Sequence, residues 1–336
     1  MECMDSCKER KMNFGENMKK LASWNESCTV DSVCLHTLGW TCLSGHSKAE
    51  LQQRLMNVSA LPHPPKFQQA KKKRRSLERW TSKRWRYKYF FWYGGGGDRR
   101  YRTTSTPVTP QRMDVGDFDW RTTGAVNPIR DQGQCGACWS FAAVAAIETT
   151  SNYVNGRLNT ERRSYSEQWL LDCSTRNGCD GGWPSDAIAY VQSRGLARAE
   201  ADVYVGRETK CPRNTSGLDK PVSGQVDLTG NPIAIQQYIL NNGPVTAGFY
   251  VCENFMHYTG GVYSTDCSPD DPDYLGGHAV AVIGYGTTSN GVDYWLVRNQ
   301  WGTGWGQAGY FQILRGSDIS SFESWGVTGV KALKLV

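Results

Sequence analysis

The sequence predicts an α+β fold of two subdomains over residues 116–336, mainly helical over about 116–225 and mainly β over about 226–336, with a cleft between them. Three observations carry this. Trp139 to Ile147 is apolar on every side, the pattern of a buried central helix. Two shorter helical stretches follow, Ser166–Leu171 and Asp186–Ser193. Past about residue 225, apolar runs of strand length take over at 245–250, 279–285, 294–298 and 310–314.

The region before residue 116 has a different character. Residues 1–60 read as a polar, helical segment: Phe14, Asn17, Leu21 and Asn25 recur at helical spacing, and Ala49–Met56 is a second helix candidate. Residues 61–115 read as a linker, opening with prolines, then the run Lys71–Arg75, then tryptophans and tyrosines, then Gly94–Gly97. Basic residues among aromatics can bind nucleic acid. A junction open to proteolysis is the plainer reading, and no nucleic-acid partner is expected.

The net charge of +6 is unevenly held: residues 1–115 carry 22 basic and 10 acidic side chains, a net of +12, so residues 116–336 carry −6. Two segments of opposite sign attract each other. No run of 18 apolar residues exists, so no membrane-spanning helix is expected.

Cysteine use divides at the same point. Five cysteines precede residue 116 and seven follow it: Cys135, Cys138, Cys173, Cys179, Cys211, Cys252 and Cys267. Three disulfides among seven leave one thiol over. Acceptor motifs at Asn25, Asn57 and Asn214 fit a secretory route. The polar N-terminus shows no signal-peptide run, which a start upstream of Met1 would reconcile with an oxidising compartment; a cytosolic protein is the competing reading.

Cys135 and Cys138 are spaced C-x-x-C, which also suits a redox pair or half a zinc site. Zinc needs two more ligands, and residues 116–336 offer only His257 and His278, with no second C-x-x-C; a redox motif wants a βαβ setting that is not apparent. No metal or cofactor is expected. Cys138 stands immediately before the apolar helix, where partial positive charge and unpaired N–H groups favour a thiolate. Taken alone it reads equally as a small buried residue. His278 opens an apolar strand where the pattern wants valine, which makes it the candidate base; His257 reads as a partly exposed surface residue. Asn299, at a strand end beside a glycine-rich turn, can accept from the imidazole and fix its tautomer. Trp301 and Trp305 would keep water from that bond. Gln132, otherwise a loop glutamine, could join the Cys138 backbone N–H in holding an oxyanion.

Asp131 to Phe141 (DQGQCGACWSF) resembles the active-site signature of papain-like cysteine proteases, and the likeness, closest to cathepsin L-like members, extends through Leu171–Cys173, Gly178–Gly182 and Asn299–Gly306. It implies a papain-like fold of a helical and a β-barrel-like subdomain, and a cysteine endopeptidase with Cys138 as nucleophile, His278 as base and acid, Asn299 as orienter and Gln132 as oxyanion donor. It implies disulfides Cys135–Cys179 and Cys173–Cys211, leaving Cys252–Cys267; the better-known family pattern uses a cysteine near the C-terminus that is absent from Trp325–Gly329. Gln300 stands where the family usually has serine, and Gly277 where it has Asp or Asn.

The same resemblance lines the main specificity pocket with Trp183, Pro184, Gly248, Gly276, Ala279 and Leu333, all uncharged, which favours a bulky apolar or aromatic side chain two residues before the scissile bond (P2). Gly181 and Gly182 would offer backbone to the substrate, with Trp301 beside the site. Residues 1–60 resemble a degraded propeptide, with Arg10, Phe14, Asn17, Leu21 and Asn25 on its helix motif, so a zymogen is implied. Expected partners are protein or peptide substrates, the chain's own propeptide and cystatin-like inhibitors, with the enzyme a monomer in a lysosomal or endosomal compartment or secreted. The competing function is a catalytically silent homologue that binds peptides or regulates other proteases.

Overall fold

The computed structural model describes residues 20, 36–38, 41, 43–44, 46–61, 116–174 and 178–335. The described residues up to 61 and from 117 onward belong to one compact unit. The predicted linker, except Leu61, and the propeptide-motif positions Arg10, Phe14, Asn17, Leu21 and Asn25 lie outside the described residues.

In chain order the main elements are β1 (His36–Leu38), α1 (Lys48–Gln53), β2 (Phe118–Asp119), α2 (Cys138–Val154), α3 (Glu167–Cys173), α4 (Pro184–Arg194), β3 (Val222–Asp227), α5 (Pro232–Asn241), β4 (Val245–Cys252), β5 (Tyr258–Tyr263), β6 (Tyr274–Thr287), β7 (Asp293–Arg298), β8 (Tyr310–Leu314) and β9 (Thr328–Ala332). The fold is α+β, with most helices before residue 225 and most of the sheet after it.

Local chemistry sets the helix starts. The Ser166 hydroxyl accepts from Trp169 N at 2.9 Å and caps α3. Pro184 opens α4 at a position where a missing N–H costs nothing. The strand-period reading past residue 225 overlooks α5, whose signal is the pair Asn231-Pro232: the Asn231 side chain accepts from Ala234 N at 3.0 Å and proline leads the first turn.

The sheet runs in the order β1-β5-β8-β7-β6-β4-β9-β3, with β2 on β6. β5 and β8 pair in parallel; the other pairs are antiparallel. β4 and β6 place alternate residues on opposite faces. Phe249, Val251, Val280 and Val282 enter the barrel core with Phe255, Trp295, Trp305 and Phe311. Tyr250, Cys252 and Ala279 face α2, in a second core with Trp139, Val144, Tyr165, Leu170 and Ile188. Disulfides join Cys135–Cys179, Cys173–Cys211 and Cys252–Cys267, and Cys138 is free and buried.

The N-terminal segment lies across the strand-rich half and then the helical rim. β1 pairs with β5, His36 opposite Gly261. Thr41 Oγ1 donates to Met256 O at 2.9 Å, and Lys20 pairs with Glu253 at 2.8 Å. Ser47 and Glu50 close a capping box on α1. This segment changes the standing of His257, which the sequence suggests is partly exposed: it is 1% exposed, with Nδ1 3.0 Å from Ser44 Oγ. Its burial comes from residues more than 200 positions away, which local sequence cannot report.

Candidate active site

Cys138 is the first residue of α2. The cap residue, Ala137, makes no side-chain hydrogen bond, so the first-turn N–H groups are left to other acceptors. Gly136 lets the loop approach closely: its N–H donates to Cys179 O at 2.8 Å, and an added Cβ would fall against Cys179 O and Leu55 O. Gly182 is equally constrained, since a Cβ there would lie 2.7 Å from the Trp139 ring.

His278 comes from β6 and Asn299 follows the last residue of β7. His278 Nε2 donates to Asn299 Oδ1 at 2.8 Å, which fixes the proton on Nε2 and leaves Nδ1 as the basic nitrogen. Nδ1 has no hydrogen-bond partner among the described residues. The imidazole stacks on Trp301 (4.5 Å between centroids, 29° between planes), and Trp301 meets Trp305 edge-on at 5.0 Å. Both indoles are fully buried, so the His278–Asn299 bond is walled from water. Gln300 Nε2 donates to Ala279 O at 2.8 Å and tethers the histidine strand to the asparagine turn.

The two halves meet at the sulfur. Burial pushes the Cys138 thiol up to about 12, opposed by hydrogen bonding from the backbone of Ala279, of Trp139 and Cys138, and of Met56. Ala279 is the neighbour of His278, so the sulfur lies where β6 presents the imidazole. Burial pushes His278 down to about 3, against the pull of Asn299. Both groups are therefore neutral in this state, and no hydrogen bond joins the Cys138 sulfur to His278 Nδ1.

The cover responsible is residues 54–61. Met56 N donates to Gly277 O at 2.8 Å and Gly277 N to Met56 O at 3.2 Å, a two-way bridge beside His278. Asn57 N donates to Asp180 O at 2.9 Å on the opposite rim. Gln132 Nε2 donates to Arg54 O at 2.9 Å, and Arg54 Nη1 to Asp131 Oδ1 at 3.0 Å. The Arg54 carbonyl thus occupies the donor assigned to an oxyanion. Nothing in the sequence of 54–61 announces that contact; its only local signal is the capping box of α1.

Of the pocket residues, Gly181 faces Met56, with 3.0 Å between its potential Cβ and the Met56 Cβ. Trp183, Gly248 and Ala279 gather around Trp325, a residue the sequence reading does not single out. Trp183 meets its ring edge-on at 5.8 Å, Gly248 N donates to Trp325 O at 3.0 Å, and Ala279 shares its core. Gly276 lies against Leu55, and Pro184 is buried at the head of α4. Leu333 stands apart. Its carbonyl accepts from Asn155 Nδ2 at 3.2 Å, beyond the last turn of α2 and so about 25 Å of helix from Cys138. Val330, three residues earlier, is the buried residue of that strand packed in the helical core. The C-terminal strand carries no motif to fix its register, hence the displacement.

Among the described residues one grouping has metal-like spacing, Cys252, Cys267 and Asp271; its two cysteines are bonded to each other and cannot serve as thiolate ligands.

A family model described as papain family cysteine protease matches residues 115–330. The chain is 35% identical over 244 residues to fruit bromelain of Ananas comosus, covering 69% of this chain and 66% of that protein. It is 36% identical over 208 residues to pro-cathepsin H of Mus musculus, covering 60% and 61%. The matches thus span about two thirds of these relatives' length or less. Among solved structures, digestive procathepsin L 3 of Tenebrio molitor larval midgut superposes with a TM-score of 0.69 at 26% identity, covering 96% of this chain and 90% of that one. The recombinant stem bromelain precursor gives 0.69 at 26%, covering 97% and 92%.

Proposed function

The chain belongs to the papain family of cysteine proteases, and on that premise we propose that it is the zymogen of a cysteine endopeptidase working through Cys138, His278 and Asn299. The observation that carries this is a free thiol at the start of α2, beside the strand on which Asn299 fixes the His278 tautomer.

Once the cleft is cleared and water enters, the penalty that keeps both groups neutral is relieved, and the Cys138 proton passes to His278 Nδ1. The thiolate attacks the substrate carbonyl carbon. The resulting oxyanion is held by Gln132 Nε2–H and the Cys138 backbone N–H, the first of which already holds the Arg54 carbonyl. The imidazolium gives its proton to the leaving amine, the C–N bond breaks, and a thioester remains on Cys138. Water, deprotonated by His278, attacks that thioester; the acid is released and the thiol–imidazole pair restored. Asn299 holds the ring throughout, and Trp301 keeps the bond dry.

Residues 1–60 act as the propeptide, with 61–115 as the junction to be cut and 116–336 as the peptidase. Segment 54–61 blocks the site by pairing with Gly277 and Asp180. Gly181 and Gly182, with Trp183, Pro184, Gly248, Gly276 and Ala279, receive the substrate strand and an apolar residue at P2. Lysosomal, endosomal or secreted placement fits the three disulfides.

The test is labelling of acid-matured protein with a thiol-directed epoxide. Stoichiometric labelling lost in Cys138→Ala, together with loss of peptide hydrolysis, is expected. Labelling that survives the substitution would remove the assignment.

A further inference from the structure

Trp325 fills space that two glycines leave open. Gly248 on β4 and Gly277 on β6 lie on neighbouring strands, and the Trp325 indole covers both. A Cβ at Gly248 would lie 3.1 Å from Trp325 Cε3, and one at Gly277 would overlap the tip of the same ring. The ring is 1% exposed. It stacks on Tyr250 at 4.8 Å and 24°, takes Trp183 edge-on at 5.8 Å and 87°, and is tied at its carbonyl to Gly248 N. An indole held on three sides forms a fixed wall.

Val58 comes to that wall. Its Cγ2 lies 2.7 Å from the same potential Cβ position on Gly277, and it packs against the core cluster that contains Trp325, Tyr250 and Ala279. Two residues earlier, Met56 makes the backbone bridge to Gly277 beside Cys138. The side chain occupying the apolar recess next to the nucleophile is thus short and β-branched, and indole stands where a longer one would extend.

We infer that Trp325 is the specificity-determining residue of this cleft: it shortens the P2 recess so that compact aliphatic side chains of valine size fit and aromatic rings do not. This deepens the peptidase reading and rests on it. It narrows the bulky apolar or aromatic preference expected from sequence, because the room for a ring is already taken. A recess that excludes by shape discriminates by roughly 10- to 200-fold per misfit group.

Two measurements test it. In matured protein, paired peptide substrates differing only in Val or Phe at P2 should give kcat/KM at least about tenfold higher for Val. In Trp325→Ala the ratio should fall or invert, with little change in the dependence on P1. Phe at P2 cleaved as well as Val by the unaltered protein overturns the proposal, while no cleavage of either strikes the peptidase reading instead. The second measurement needs neither catalysis nor a Trp325 variant. In the full chain, Val58→Phe should fail to seat and raise the rate of Cys138 alkylation at neutral pH at least about tenfold, whereas Val58→Ile should leave it within about threefold. Equal rates for Val58→Phe and the unaltered chain overturn the proposal even if Trp325→Ala does not fold.

Discussion

Acid should open this zymogen through His257, and the size of the effect follows from the contacts that bury it. In the closed state His257 sits under the N-terminal segment, Nδ1 against Ser44 Oγ, and burial first, then the charge of Lys20, push it down from 6.5 to about 4. With the propeptide lifted, the ring returns toward its ordinary value near 6.5. A histidine depressed in the closed state supports closure fully above pH 6.5 and withdraws that support as pH falls from 6.5 toward 4. The slope is about 1.4 kcal/mol per pH unit, a tenfold rise in opening per unit, and the total is about 3 kcal/mol, less whatever hydration the Lys20 side retains. Cys138 and His278 add little to this slope, because thiol plus imidazole becoming thiolate plus imidazolium takes up no proton from solution. The assay is alkylation of Cys138 in the full chain between pH 6.5 and 5, for the unaltered protein and for His257→Asn, whose carboxamide retains an acceptor for Ser44 without titrating there. The ratio of the two rates should change about tenfold per pH unit. Parallel profiles would refute the assignment of the acid trigger to His257.

Other outcomes follow from the same geometry. Gln132→Ala in matured protein should lower kcat by about 10²–10³ with a smaller change in KM, the signature of a donor used mainly in the transition state, read by steady-state kinetics. Replacing Cys252 and Cys267 together by serine opens a loop of 15 residues and should cost about 3 kcal/mol in urea unfolding, with the midpoint lowered and the m-value nearly unchanged. Gly136→Ala should loosen the propeptide and misplace the nucleophile at once, because its Cβ would sit 2.8 Å from Leu55 O; faster opening with lower final activity is expected.

Much of the candidate site was legible because its signals are local and dense. Residues 131–141 combine a C-x-x-C, the start of a buried helix and a glycine, Gly136, whose side-chain space is filled by neighbours, and His278 breaks an otherwise apolar strand. The structure brings His278 and Asn299 within bonding distance across 21 residues. What escaped the sequence depends on tertiary contact or strand register. The all-round apolar run Trp139–Ile147 marks α2 plainly, but α5 hides in a strand-rich stretch with only Asn231-Pro232 as its mark. Leu333 enters the pocket only through the family resemblance, and its backbone lies at the far end of α2. Trp325 and Val58 reveal themselves only through the emptiness of Gly248 and Gly277, since a glycine says that something is near without saying what. His257 looks like a surface residue until Thr41 and Ser44 come to lie against Met256 and its own ring.

The most direct measurement is the pH dependence of Cys138 alkylation in the matured protein. A sulfur ionised by proton transfer to His278 should react at a nearly constant rate from about pH 5 to pH 8, far below the ordinary thiol range near 8.5. A rate that rises tenfold per pH unit through neutrality, with a midpoint near 8.5, would mean an unassisted thiol and would contradict the proposed ion pair.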